Sequence, residues 1–147
     1  MRKEIDMTEV KESGSFELVA EGIHYARIDE MQEAITENGD DMFTIKLVMV
    51  SGISQDLWVW DNIVISDNPS SPGYKILGRS KHFLHCINEP YEGKIEIDTE
   101  RWIGKQIKIE VYHDEFINKK GYKTKRAIVK NYLIDEELQK EEESPFN

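Results

Sequence analysis

Apolar and polar residues alternate over several separate stretches of this chain. From Gln106 onward, Ile107, Ile109 and Val111 share one parity while Lys108, Glu110 and Tyr112 share the other. That is the period-2 pattern of a half-buried strand. Asn118-Lys119-Lys120-Gly121 supplies turn chemistry, with Gly121 free to take positive φ. Thr124, Arg126, Ile128 and Lys130 then alternate with Lys125, Ala127, Val129 and Asn131, so residues 106–133 predict a long hairpin. Upstream, β-forming residues around Tyr25, Ala26 and Ile28 predict a strand opening at Gly22. A turn at Glu37-Asn38-Gly39-Asp40-Asp41 separates it from Met42 to Val50, where Phe43, Ile45, Leu47 and Met49 form one face. After Ser51-Gly52, Gln55 to Ile65 predicts a third strand. Its Leu57, Val59, Ile63 and Ile65 face one way, and Trp58, Trp60, Asn62 and Val64 the other.

The period then changes. Beyond the loop Asp67 to Gly73, apolar residues Ile76, Leu77, Phe83, Leu84 and Ile87 recur at helical spacing, and Pro90 disfavours helix just before it. The element order is therefore β-β-β-α-β-β. An OB-fold, a five-stranded Greek-key barrel, has its helix between strands three and four, so the fold class expected is all-β with one helix, an OB-like barrel. Residues 1–15 are too polar to define an element and read as an N-terminal arm, with 16–134 as the OB-fold domain. Residues 135–147, Asp-Glu-Glu-Leu-Gln-Lys-Glu-Glu-Glu-Ser-Pro-Phe-Asn, carry too little apolar surface to fold alone and are expected to be a disordered acidic tail.

Charge sharpens this picture. The 147 residues carry a formal net charge of −10, half of it in residues 135–147. Yet from Lys119 to Lys130 there are six Lys or Arg and no Asp or Glu. Overall acidity argues against a generally basic nucleic-acid binder but leaves room for a local cationic track. A single cysteine, Cys86, excludes an internal disulfide framework and suits a reducing cytoplasm. No apolar run approaches the ~20 residues of a membrane span, and the first residues lack a signal-peptide apolar core.

The residue types then suggest chemistry. Lys119, Lys120, Lys123, Lys125 and Arg126 could neutralise successive phosphates, with Tyr112 and Tyr122 interleaved as stacking rings. An OB-fold uses the loop after strand four for its ligand, and this is that loop. The same lysines would equally serve as edge protection and solubility. Trp58 and Trp60 share a parity, so they either stand outside as stacking platforms or lie beneath a covering element as a second small core. His82, His85 and Cys86 are close in sequence but lack a second Cys/His pair, so no metal or cofactor is expected. Asp40, Asp41, Asp61, Asp114 and Glu115 lack any nucleophile–base spacing, and an enzyme is not expected. In the tail, Glu141, Glu142 and Glu143 precede Pro145 and Phe146, a charged peptide with one aromatic anchor suited to a basic-rimmed apolar pocket on a partner.

From about Glu21 to Leu133 the chain resembles the phage single-stranded DNA-binding proteins of the DUF669 family. The resemblance rests on Gly22 with Ala26-Arg27-Ile28, the Phe43–Val50 strand, and Leu57-Trp58-Val59-Trp60-Asp61-Asn62-Ile63. It continues through Ile76-Leu77-Gly78-Arg79, Trp102-Ile103-Gly104-Lys105 and the Lys-Gly-Tyr hairpin tip. The aromatic usual two residues beyond the first glycine is His24 here, with Tyr25 next. Separately, the tail is similar to the acidic Pro-Phe tip by which bacterial single-stranded DNA-binding proteins recruit partners, except that Asn147 follows Phe146. The resemblances imply a sequence-non-specific single-stranded DNA-binding protein for phage replication or recombination, acting in the host cytoplasm, with partner proteins held by the tail and oligomeric state left open. Two other classes stay in view. One is an acidic interaction module mimicking DNA charge against a host nuclease; the other is a metal-dependent nuclease.

Overall fold

The alternation of apolar residues becomes the division between two faces of one sheet. The computed structural model describes residues 1–8 and 17–142. Its strands are β1 (Gly22–Ile35), β2 (Asp41–Met49), β3 (Trp58–Ile65), β4 (Gln106–Ile117) and β5 (Lys123–Leu133), all antiparallel, in the order β3-β2-β1-β4-β5. Two helical pieces, α1 (Pro72–Lys75) and α2 (Leu77–Cys86), lie between β3 and β4. The protein is thus mostly β, in an OB-like arrangement. Ile28 of β1, Ile45 and Leu47 of β2, Ile63 of β3 and Ile107 and Ile109 of β4 are fully buried. Each such side chain contributes roughly 1.5–3 kcal/mol by leaving water.

β1 serves two partners. Its first half pairs with β4, from Gly22 opposite Val111 to Arg27 opposite Gln106, and its longer second half pairs with β2. The ladder to β2 shifts between Ile28 and Glu30, so Asp29 is an extra residue and both Ile28 and Met31 face inward. β3 begins at Trp58, later than the alternation from Gln55 suggests. Residues 50–57 instead form a loop closed by Met49 N to Leu57 O at 2.8 Å, with Gly52 and Asp56 at positive φ.

The helix begins earlier than its apolar stripe. Ser71 caps α1, its Oγ accepting from Gly73 N at 3.2 Å while also donating to the buried Asp40 carboxylate. Ser66 Oγ donates to the same carboxylate at 2.6 Å, which ties the β1–β2 loop to the start of the helix. A Cβ at Gly73 would collide with Asp40, so this close approach requires glycine. The helix breaks at Ile76 (φ −100, ψ 9), which turns that side chain out to solvent although its spacing fits the buried stripe. Phe83 of α2 then packs edge-on to Trp102 at 5.2 Å and Tyr132 at 5.1 Å, and Trp102 likewise to Phe43 at 5.5 Å.

The sheet is not closed. β3 and β5 are its two edges, and side chains bridge them. Asp61 of β3 accepts from Tyr132 Oη of β5 and from Arg79 Nη2 of α2 at 2.6 Å. Arg79 also reaches Val129 O at 3.5 Å and lies 5.0 Å from the Tyr132 ring centre. Burial and the Asp61 charge hold the Tyr132 phenol well above its ordinary range. Burial is the strongest single influence and works against the Arg79 charge, but the hydrogen bonds and charges of Asp61 and Tyr132 together outweigh it and raise the guanidinium.

The segment expected to be disordered from Asp135 starts with order. α3 (Glu136–Glu142) forms because Asp135 Oδ1 accepts from Glu137 N at 2.9 Å and Leu138 N at 3.1 Å, while Glu136 and Glu137 occupy the first turn. Leu138 is half-buried, and Gln139 Nε2 donates to His85 O at 3.1 Å, an attachment to α2 that charge counting cannot foresee.

Two stability measurements follow. Asp61→Ala should cost roughly 1–3 kcal/mol in urea unfolding, since Tyr132 and Arg79 lose their acceptor, and Tyr132→Phe about 1 kcal/mol. The Ser66 and Ser71 hydroxyls hold the Asp40 carboxyl below its usual range. The unfolded state therefore takes up that proton first, so this contribution is present above about pH 4 and lost as pH falls further. Asp40→Asn should flatten the acid limb of stability against pH.

Candidate nucleic-acid interface

Because Val59 and Ile63 point inward, Trp58 and Trp60 point out, 53% and 40% exposed. Among the described residues, no element covers them as a second core. On β2 their cross-strand neighbours are Val48 and Lys46, and Lys46 Nζ sits 4.5 Å from the centre of the Trp58 ring. One strand further, Arg27 lies opposite Val48, extending the row Trp58, Val48, Arg27 across the outward face. Nearby carboxylates temper these cations: Arg27 meets Asp29 at 3.4 Å and Lys46 meets Glu30 at 3.6 Å.

Tyr25 continues this face towards β4, where it lies opposite Lys108, with Nζ 5.9 Å from the ring centre. Its Oη donates to Asp135 Oδ2 at 2.6 Å, and Lys108 approaches the same oxygen at 3.8 Å. This bond raises the Tyr25 phenol and lowers the Asp135 carboxyl. Arg27, Lys46, Tyr25 and Lys108 were not singled out from the sequence. Each sits at the parity opposite a core residue, but cross-strand register is needed to place them beside the tryptophans.

The basic hairpin is an extension of the sheet. β4 pairs with β1 only as far as Val111, so residues 112–117 and 123–128 project as a two-stranded ribbon. Register divides its candidate residues. Tyr112 and Arg126 share the face of Phe116 and Asp114, whereas Lys123 and Lys125 lie opposite Ile117 and Glu115 on the other. Arg126 pairs with Asp114 at 3.2 Å and lies 5.1 Å from the Phe116 ring centre. Lys119, Lys120 and Tyr122 are at the tip, Tyr122 68% exposed. There Asn118 Oδ1 accepts from Lys120 N at 3.0 Å and Tyr122 N at 3.1 Å, and Gly121 takes φ 84. The window of residues 119–130 contains no acid, but β4 supplies acids across the ladder.

The ribbon and the tryptophans occupy the same end of the sheet. His113 donates its backbone N–H to Glu21 Oε2 at 3.1 Å, and its ring Nε2 lies 2.7 Å from Val19 O. Ala20 N in turn donates to Ser54 Oγ at 2.9 Å, in the loop that leads into Trp58. Residues 19–21 thus lie between ribbon base and loop.

The remaining candidates are structural or lie elsewhere. His82 Nε2 is 2.8 Å from Tyr132 O, and burial pushes the Cys86 thiol up to about 11. Among the described residues, no group of three or more His, Cys, Asp or Glu could hold a metal. Glu141 and Glu142 fall in α3, whereas Glu143, Pro145 and Phe146 lie outside the described residues. No protein-family model and no curated protein matches this chain.

Acrylamide should quench the emission of Trp58 and Trp60 but not of Trp102, which is fully buried. The double variant Trp58→Phe/Trp60→Phe should leave a blue-shifted, weakly quenched signal.

Proposed function

We propose that the protein binds single-stranded DNA without sequence preference, in phage replication or recombination, as its resemblance to the DUF669 family implies. The observation that supports this most is the exposed Trp58 and Trp60 pair with Lys46 at its side. Residues two apart on a strand are separated by about 7 Å, room for each ring to take its own base. Base stacking on an aromatic ring is worth roughly 1–3 kcal/mol. Arg27, Lys108 and the ribbon cations Lys119, Lys120, Lys123, Lys125 and Arg126 would meet phosphates, with Tyr112 and Tyr122 as further platforms. The residues Glu141, Glu142, Glu143, Pro145 and Phe146 would recruit replication or recombination proteins. Asp135 occupies Tyr25 and Lys108 on the proposed face, so the acidic segment would compete with DNA there.

Tryptophan fluorescence titrated with oligo-dT is the direct test. Quenching should weaken as salt rises, because phosphate contacts release counterions. Trp58→Ala or Trp60→Ala should each weaken binding about 5- to 100-fold, and Lys119→Ala/Lys120→Ala should lower the salt slope. Removing residues 135–147 should tighten binding at low salt. Absence of binding at every salt concentration, in this titration and in an electrophoretic assay, would instead favour the acidic decoy, for which Asp114 and Glu115 on the ribbon and the net charge of −10 speak.

A further inference from the structure

A second surface lies away from the outward face of the sheet. Along α2, residues Leu77, Lys81 and His85 follow one another at helical spacing and form a stripe, with Tyr74 of α1 beside its far end. Tyr74, Leu77 and Lys81 line a groove of about 530 Å³ whose opposite wall is Tyr91, Ile95 and Ile97. It is mainly apolar, and Lys81 carries the only charge among its described lining residues. Gly78 also lines it and leaves open space where a side chain would stand.

We propose that this groove receives the segment Ser144-Pro145-Phe146 of the same chain, with Phe146 as the apolar anchor. Three observations carry the assignment. First, α3 is already fastened at the head of the stripe, because Gln139 Nε2 donates to His85 O and the His85 ring stacks on Tyr91 at 4.1 Å. Second, the lengths agree. Three helical residues to Glu142 and four more to Phe146 can reach at most about 18 Å, against about 12 Å of α2 from His85 back to Leu77. Third, the chemistry matches: Phe146 is the aromatic residue of the segment and Glu143 precedes it, while the groove is apolar with Lys81 over it. The groove is distinct from the Trp58–Trp60 face, so this inference stands whether or not the protein binds DNA. Its consequence is that Phe146 has an intramolecular seat, which a partner protein must outcompete.

Two reciprocal variants of the full chain test it by NMR. Phe146→Ala should shift the amide signals of Lys81, Tyr91, Gly93 and Ile95 while leaving those of β1 to β5 in place. Gly78→Leu, at an exposed helical position where a larger side chain is tolerated, fills the groove from the other side. It should move the Phe146 signals to random-coil values. If Phe146→Ala leaves the groove signals unchanged, or Gly78→Leu leaves those of Phe146 unchanged, the seat is not there. If either shift depends on protein concentration, the occupant is a second copy and the intramolecular assignment falls.

Discussion

An open sheet leaves two free edges, and in this protein they are brought together by one carboxylate. Asp61 receives Tyr132 from the far edge strand and Arg79 from the helix, so three elements far apart in sequence converge on a single acceptor. The arrangement needs a charge because Tyr132 is buried and Arg79 is partly so. An amide or hydroxyl would accept a bond without balancing the guanidinium. The packing of Phe83 against Tyr132 and Trp102 depends on the same closure, since it requires β5 to stay beside the helix. Among the described residues, bridging the edges by side chains also leaves the outward surface without a covering layer, and that surface holds Trp58 and Trp60.

Electrostatics on the ribbon are more balanced than its sequence suggests. Arg126 is held by Asp114 and sits over Phe116, and Lys125 lies opposite Glu115. Exposed pairs of this kind are worth little to stability, but they reduce the local potential that a polyanion would meet. The tip lysines Lys119 and Lys120 therefore carry more of the proposed recognition than a linear count of charge implies.

Much of the fold was legible because its signals are local. Period-2 runs marked the strands, Asn118 to Gly121 marked the hairpin turn, and Phe83, Leu84 and Ile87 marked the helix. Element order then pointed to the OB-like arrangement, with the sheet order β3-β2-β1-β4-β5 now seen. The features that escaped are those that depend on contacts distant in sequence. Ile76 fits the apolar stripe, but the break between α1 and α2 exposes it. Residues 136–142 look unfoldable by composition, but Asp135 caps them and Gln139 anchors them. On the candidate face parity set the tryptophans together on one side of β3 but left open whether they were covered, while their cationic neighbours required register, which no single strand encodes.

The extra residue in β1, Asp29, has no partner across the ladder on β2. Without Asp29, Ile28, Glu30 and Met31 would alternate regularly and the same side chains would still face the core. Asp29 therefore adds nothing to the pattern of burial; it adds curvature. A strand that must lie along β4 at one end and β2 at the other cannot run straight, and a bulge bends it where the duty changes hands, close to Arg27 and Ile28. In this chain the arc of the sheet is written in one residue whose side chain the core never sees.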